Sequence, residues 1–222
     1  MKIDIHIHSS HSNDGSVSPK EILRYARKID LDGIAITDHN ELSGSLKILK
    51  ENSNQKDFVV IPGVEVSSSE GHILALGITK TVPKNLTVKE TIEKISDLGG
   101  LAIASHPFRF WSGLGEENVR KGGFEVIETI NSRSLKKENL KSGHLAKELG
   151  CGKTGGSDSH LLSHIGNAYT VIENPSFKTE DILEDIRRGK SKGEGTSRRP
   201  SETPKYAAGC VYLWLKRGMK RI

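Results

Sequence analysis

Short apolar runs alternate along the chain with longer stretches whose apolar residues recur every three or four positions, the signature of strands followed by helices. Lys2–Ile7 reads as a strand. Ser18-Pro19-Lys20-Glu21 opens a helix to about Ile29, with Ser at the N-cap, Pro at N1 and Glu closing a capping box. Gly33–Thr37 is a second strand, and a helix follows from about Leu42 to Glu51. Phe58–Ile61 and Val64–Val66 flank Pro62-Gly63 as one interrupted strand, with His72–Ile78 as its antiparallel partner. Thr87-Val88-Lys89-Glu90 is a second capping box, opening a helix to about Leu98 that Gly99-Gly100 stops. Leu101–Ala104 and Phe124–Ile130 are further strands, and a helix from about Leu135 to Leu149 ends at Gly150. Gly152–Gly155, Ala168–Ile172 and a helix over Thr179–Arg188 complete the series. Ser191–Pro204 reads as a loop rich in Gly, Ser, Pro and Arg, and Tyr206–Lys220 as a short terminal helix. Strand–helix alternation predicts a parallel sheet, and about seven strands fit an imperfect α/β barrel better than an open sheet.

The polar residues with ligating side chains fall where that architecture places active sites, at the C-terminal ends of strands. His6 and His8 end the first strand, and Asp38 and His39 the second. Glu65 lies within the third, His106 follows LAIAS, and Asp158 and His160 follow Gly152–Gly156. Because a strand alternates faces, Ile3, Ile5 and Ile7 point one way and Asp4, His6 and His8 the other. His-x-His on a strand is therefore a pincer of two imidazole nitrogens, a ligand pair that Zn, Mn and Fe accept. Asp158-Ser159-His160 repeats the spacing with one oxygen and one nitrogen. Burying this much polarity without a metal would leave many groups unsatisfied.

The ordered motifs HIHSSHSNDG, ITDHN, PGVEVS, SHP and GGSDSH resemble those of the PHP (polymerase and histidinol phosphatase) family, over roughly residues 1–200. The resemblance implies a distorted, TIM-like (β/α)7 barrel and two or three divalent metal ions, with Zn, Mn or Fe as candidates. It implies that His6, His8, Glu65 and Asp158 gather round one ion, that Asp14, His39 and His160 hold a second, and that Glu65 bridges to a third that His106 also binds. Some relatives complete the third site with a histidine on the strand matching Phe124–Ile130. Here that region reads EVIETINSR, which makes Asn131, Glu128 or His72 a candidate extra ligand, the alternative being a third site that is weaker or filled only with substrate present; His72 is equally suited to a hydrogen bond to a ligand.

Several metals round one cavity suit phosphate ester hydrolysis. Two ions sharing a water lower its pKa, so a metal-bridged hydroxide is available at neutral pH for in-line attack on phosphorus. No GxSxG element offers a nucleophile instead. Asp158, His160 and His39 are candidates to supply a proton to the leaving oxygen. Arg109 and Arg133 are candidate phosphate clamps, and Arg198 with Arg199 could fold over the mouth. Phe108–Gly123 reads as the longest loop near the site and the natural specificity element, with Phe110 and Trp111 able to stack on a base or to pack the loop.

Composition adds three points. A length of 222 residues suits one domain, read as a metal-binding barrel over residues 1–190 and a basic loop and helix over 191–222 packed on it. Net charge is +5, but Arg187–Ile222 holds eleven Lys/Arg against two Glu, while the rest holds twenty-two against twenty-six Asp/Glu. The body is thus mildly acidic and the tail basic, a solvated helix or an electrostatic arm for an anion. Cys151 and Cys210 form no CxxC pair, no apolar run approaches the ~20 residues of a membrane span, and no signal-peptide core is visible, which together read as cytoplasmic. The expectation is a phosphatase of small monoesters such as a nucleotide. The alternative is a nuclease or polymerase-associated editing module acting on nucleic acid ends, for which the basic tail is the main support.

Overall fold

The computed structural model describes residues 1–55, 57–216 and 218–219. Ten strands and seven α-helices alternate through most of it. β1 (Lys2–Ile7), α1 (Pro19–Ala26), β2 (Gly33–Ile36), α2 (Ser43–Asn52) and β3 (Val59–Val60) come first. β4 (Gly63–Ser67), β5 (His72–Leu76), α3 (Val88–Asp97), β6 (Leu101–Ala104), α4 (Gly115–Gly122), β7 (Val126–Asn131), α5 (Lys136–Leu149) and β8 (Gly152–Gly156) follow. β9 (Ala168–Ile172), α6 (Thr179–Arg187), β10 (Ser191–Gly195) and α7 (Thr203–Lys216) close the chain.

Both capping boxes form as the sequence predicts. The Ser18 and Thr87 hydroxyls accept from the backbone N–H of Glu21 and Glu90, whose carboxylates accept in return from the N-cap backbone. The expected antiparallel pairing of β4 with β5 is also present, from Gly63↔Leu76 to Ser67↔His72.

Hydrogen bonding does not close the expected seven-stranded ring. It divides the strands into two five-stranded sheets, ordered β10-β9-β1-β2-β3 and β4-β5-β6-β7-β8. Single bridges Ile7↔Ser159 and His39↔Glu65 are the links between their neighbouring ends. The division falls at Pro62-Gly63, where the interrupted strand of the sequence reading splits. Its first half (β3) pairs in parallel with β2, and its second half (β4) joins the other sheet. Proline supplies no N–H to a ladder.

Two further expectations change. Ser191–Gly195, the start of the Gly-, Ser-, Pro- and Arg-rich stretch Ser191–Pro204 read as a loop, is strand β10, antiparallel to β9 throughout. The long loop after His106 contains helix α4. The terminal helix runs from Thr203 to Lys216, and Lys220, its expected end, lies outside the described residues.

Three apolar clusters hold the body. One lies between the sheets, where Ile3, Ile5 and Ala35 meet Leu74, Leu101 and Ile103, with Ile182 and Ile186 of α6. A second packs α1 and α2 on β1–β3 through Ile22, Ile34, Ile36 and Ile48. A third seats α3, α4 and α5 on the other sheet through Val66, Ile95, Val119 and Leu145. The register of β1 against β2 shifts between Asp4 and Ile7, so Ile7 joins the α1/α2 cluster while Ile3 and Ile5 stay between the sheets. No buried residue lies on α7. Among the described residues no helix is long and apolar enough to cross a membrane.

Candidate metal centre

The strand ends bring His6, His8, Asp14, His39, Glu65, His72, His106, Asp158 and His160 into one polar cluster. Glu65 is its hub. Its Oε2 lies 3.3 Å from His6 Nε2, 3.2 Å from His8 Nε2 and 3.2 Å from His39 Nδ1. Its Oε1 lies 3.2 Å from His72 Nδ1, 3.0 Å from His106 Nε2 and 3.1 Å from Ser105 Oγ. Asp14 Oδ2 joins His160 Nε2 at 3.0 Å and His39 Nε2 at 3.5 Å. Asp158 Oδ1 lies 3.4 Å from His8 Nε2 and 3.8 Å from His6 Nε2.

Four sets have ligand atoms close enough to share an ion: His8, Asp14, His39 and His160; His6, His8 and Asp158; His6, Glu65 and His106; His39, Glu65 and His72. The cluster suits metal better than protons. A carboxylate oxygen offers about two lone pairs, yet three imidazole nitrogens crowd Glu65 Oε2. His39 Nδ1 is buried without a hydrogen-bond partner, although Glu65 stands 3.2 Å away. A mixed N/O set of this kind fits Zn, Mn or Fe.

The backbone is bent to make these approaches. His106 and Asp158 both adopt positive φ, +26° and +52°, a region that L residues enter at a cost. A Cβ on Gly156 would lie 2.4 Å from the Cβ of His6, so only glycine fits beneath that ring.

Electrostatics follow from burial and pairing. Burial alone would lower the His8 pKa, but hydrogen bonds to Asp158 and Glu65 outweigh it and raise it to about 9. Burial pushes His160 down to about 4, with the Arg133 and His8 charges adding to it. It does the same to His106, with help from Arg109, again to about 4. Burial opposes ionisation of Asp158, but Arg109, His6 and Arg133 hold its carboxyl well below the usual range.

Arg109 and Arg133 both reach Asp158. Arg109 Nη1 lies 2.6 Å from Oδ2 and Arg133 Nη1 3.2 Å from Oδ1. Arg198 does not enter the cluster. It stands behind Arg133, donating from Nε to the Arg133 carbonyl at 2.8 Å, with its guanidinium 4.2 Å from the centre of the Tyr206 ring. Phe110 and Trp111 are 84% and 76% exposed beside the site, so they do not pack the loop.

Glu128 and Asn131, candidates from sequence for the extra ligand of a third metal, support the cluster instead, and Tyr206 was not singled out from sequence. Both Glu128 oxygens are engaged, Oε1 with His6 Nδ1 at 2.9 Å and Oε2 accepting the His106 backbone N–H at 2.8 Å, so Glu128 orients the cluster. Asn131 accepts from Arg109 and donates from Nδ2 to Glu128 and Asp158. Tyr206, from α7, lies under Arg133, its ring centre 5.1 Å from the guanidinium carbon. Nothing local in the sequence could have indicated Tyr206.

These His, Asp and Glu sets at the strand ends of an α/β protein suit divalent metal. A family model described as PHP-associated matches residues 136–191. An uncharacterized protein of Methanocaldococcus jannaschii is 39% identical over 164 residues, 67% of this chain and 94% of that protein. Among solved structures, a two-domain protein of Bacteroides vulgatus containing a predicted PHP-like metal-dependent phosphoesterase shares the fold. Its TM-score is 0.73 at 17% identity, covering 95% of this chain and 70% of that one. The lesion-specific endonuclease Q of Pyrococcus furiosus also shares the fold, with a TM-score of 0.62 at 19% identity, over 86% of this chain and 57% of that one. The chain belongs to the PHP family.

Proposed function

We propose that this protein is a metal-dependent phosphoesterase that hydrolyses small phosphate monoesters. The observation that carries the reading is the convergence of five histidines on the two oxygens of Glu65. His6, His8, Glu65 and Asp158 would hold one divalent ion, Asp14, His39 and His160 a second, and Glu65 with His106 a third, with His72 beside it. Such ions, when bound, neutralise phosphate charge and acidify water.

The chain's own groups supply the rest. Arg109 and Arg133 present guanidinium N–H groups beside Asp158 and would grip the non-bridging phosphate oxygens. Asn131 fixes the Arg109 fork and Tyr206 supports Arg133. Asp158 is ionised at neutral pH and carries no proton to give. Proton handling would then fall to whichever of His39 and His160 is not bound to metal; both have lowered pKa values and both face Asp14 through Nε2.

A second reading, a nuclease acting on nucleic acid ends, draws on the exposed Phe110–Trp111 pair, which offers base-stacking faces beside the cluster. The fold shared with endonuclease Q is compatible with it. Incubating the Mn-loaded protein with nucleotides, nucleoside bisphosphates, histidinol phosphate and a short oligonucleotide separates the two. Phosphate release from a small monoester supports the first reading; shortening of the oligonucleotide with every monoester intact replaces it by the second.

A further inference from the structure

A cavity of about 620 Å³ lies on the other face of β7 from the metal cluster. Glu128 points from β7 to His6, while its neighbour Thr129 lines this cavity. One wall is a single face of α5, on which Lys136, Leu140 and Gly143 follow one another at helical spacing. The opposite wall is β10 and the segment after it, with Lys192 and Arg199, and Lys153 of β8 adds a further cation. No aspartate or glutamate lines the cavity, although the chain holds twenty-eight. Lys136, Lys153 and Arg199 make no ion pair among the described residues; Lys192 pairs with Glu194. The surface between the cations is apolar, with Leu140 53% exposed.

Lys136, Lys153 and Arg199, gathered without counter-charges, repel one another, at a cost that an anionic ligand would remove. The volume is that of a small-molecule site. We propose that this cavity binds an organic phosphate, its anionic group among Lys136, Lys153, Lys192 and Arg199 and its apolar body against Leu140 over Gly143. The site is separate from the metal centre but joined to it. Asn139, on the same helix, exchanges two 3.1 Å hydrogen bonds with the Asn131 backbone, and Arg198 holds the Arg133 carbonyl. Occupancy would therefore bear on Asn131, which fixes Arg109, and on Arg133 itself.

Gly143 gives a clean blocking variant, because a Cβ there meets nothing within 4 Å and a side chain at a helix-interior glycine favours the helix. The test follows the Leu140 methyl resonances of the zinc-loaded protein during titration with phenylphosphonate, inorganic phosphate and, separately, a short oligonucleotide. The expected result is a saturable Leu140 shift with phenylphosphonate, tighter than with phosphate. Gly143→Met and, through loss of a cation, Lys153→Glu should each weaken it about tenfold. Leu140 unmoved by phenylphosphonate, moved equally in Gly143→Met, or moved by the oligonucleotide alone would overturn the proposal.

Discussion

The Nε2 atoms of His6 and His8 stand 3.1 Å apart, and both face Glu65 Oε2. Two imidazole nitrogens this close need either a proton between them or a shared cation. His8 has its pKa raised to about 9, burial being outweighed by Asp158 and Glu65, so in the metal-free protein it carries a proton at neutral pH. Metal must displace that proton. The sign follows: affinity rises with pH while pH is below the His8 pKa. Each proton displaced tightens Kd about tenfold per pH unit. Zinc titrations between pH 6 and 8 in a non-chelating buffer check this, and a pH-independent Kd would count against it.

Arg109 and Asp158 form a buried ion pair at 2.6 Å. Removing this cation leaves the carboxylate with Arg133 as its one guanidinium partner, at a cost of about 3 kcal/mol, the low end for a broken buried pair. Arg109→Ala should therefore lower the unfolding free energy by about that amount in EDTA. The loss should be smaller with metal present, because the ion compensates Asp158. Denaturant melts with and without metal read the difference, and equal losses in both would refute the coupling.

Gly156 lies against His6, where an added Cβ would stand 2.4 Å from that of the histidine. Gly156→Ala must push β8 away from β1, with an overpacking cost of about 1–3 kcal/mol. Metal retention should fall together with thermal stability. A variant that kept its full metal content would show that the close approach does not set the ligand geometry.

Tyr206 supports both Arg133 and Arg198 through its ring. A cation–π contact contributes about 0.5–1 kcal/mol, so Tyr206→Ala should lower kcat/KM on a small monoester a few-fold. Tyr206→Phe keeps the ring and should leave kinetics unchanged. Equal losses in both variants would point to the hydroxyl instead.

Much of the site was legible because strand ends carry it. His6 and His8 on β1, His106 after β6 and Asp158 after β8 need only strand periodicity and the direction of the chain to be placed at one end. The capping boxes located α1 and α3 for equally local reasons. What escaped depends on long-range pairing. Residues 191–195, with two glycines and alternating charge, have no strand propensity of their own and become β10 only because β9 offers an edge. The opening of the ring into two sheets arises from how β3 and β4 part at Pro62-Gly63, which a run of apolar residues on either side conceals. Glu128 and Asn131 were visible as polar residues on an apolar strand, but their role as supports rather than direct members of the cluster rests on angles that only the fold defines.

Divalent metal at the Glu65 cluster underlies the chemistry proposed for this protein. Elemental analysis of the purified full chain, after loading with Mn or Zn and removal of free ions, tests it most directly. Two or three ions per chain are expected, and loss of at least one in a folded Glu65→Gln variant. A folded wild-type protein that retains no ion, or a Glu65→Gln variant with undiminished content, would contradict it.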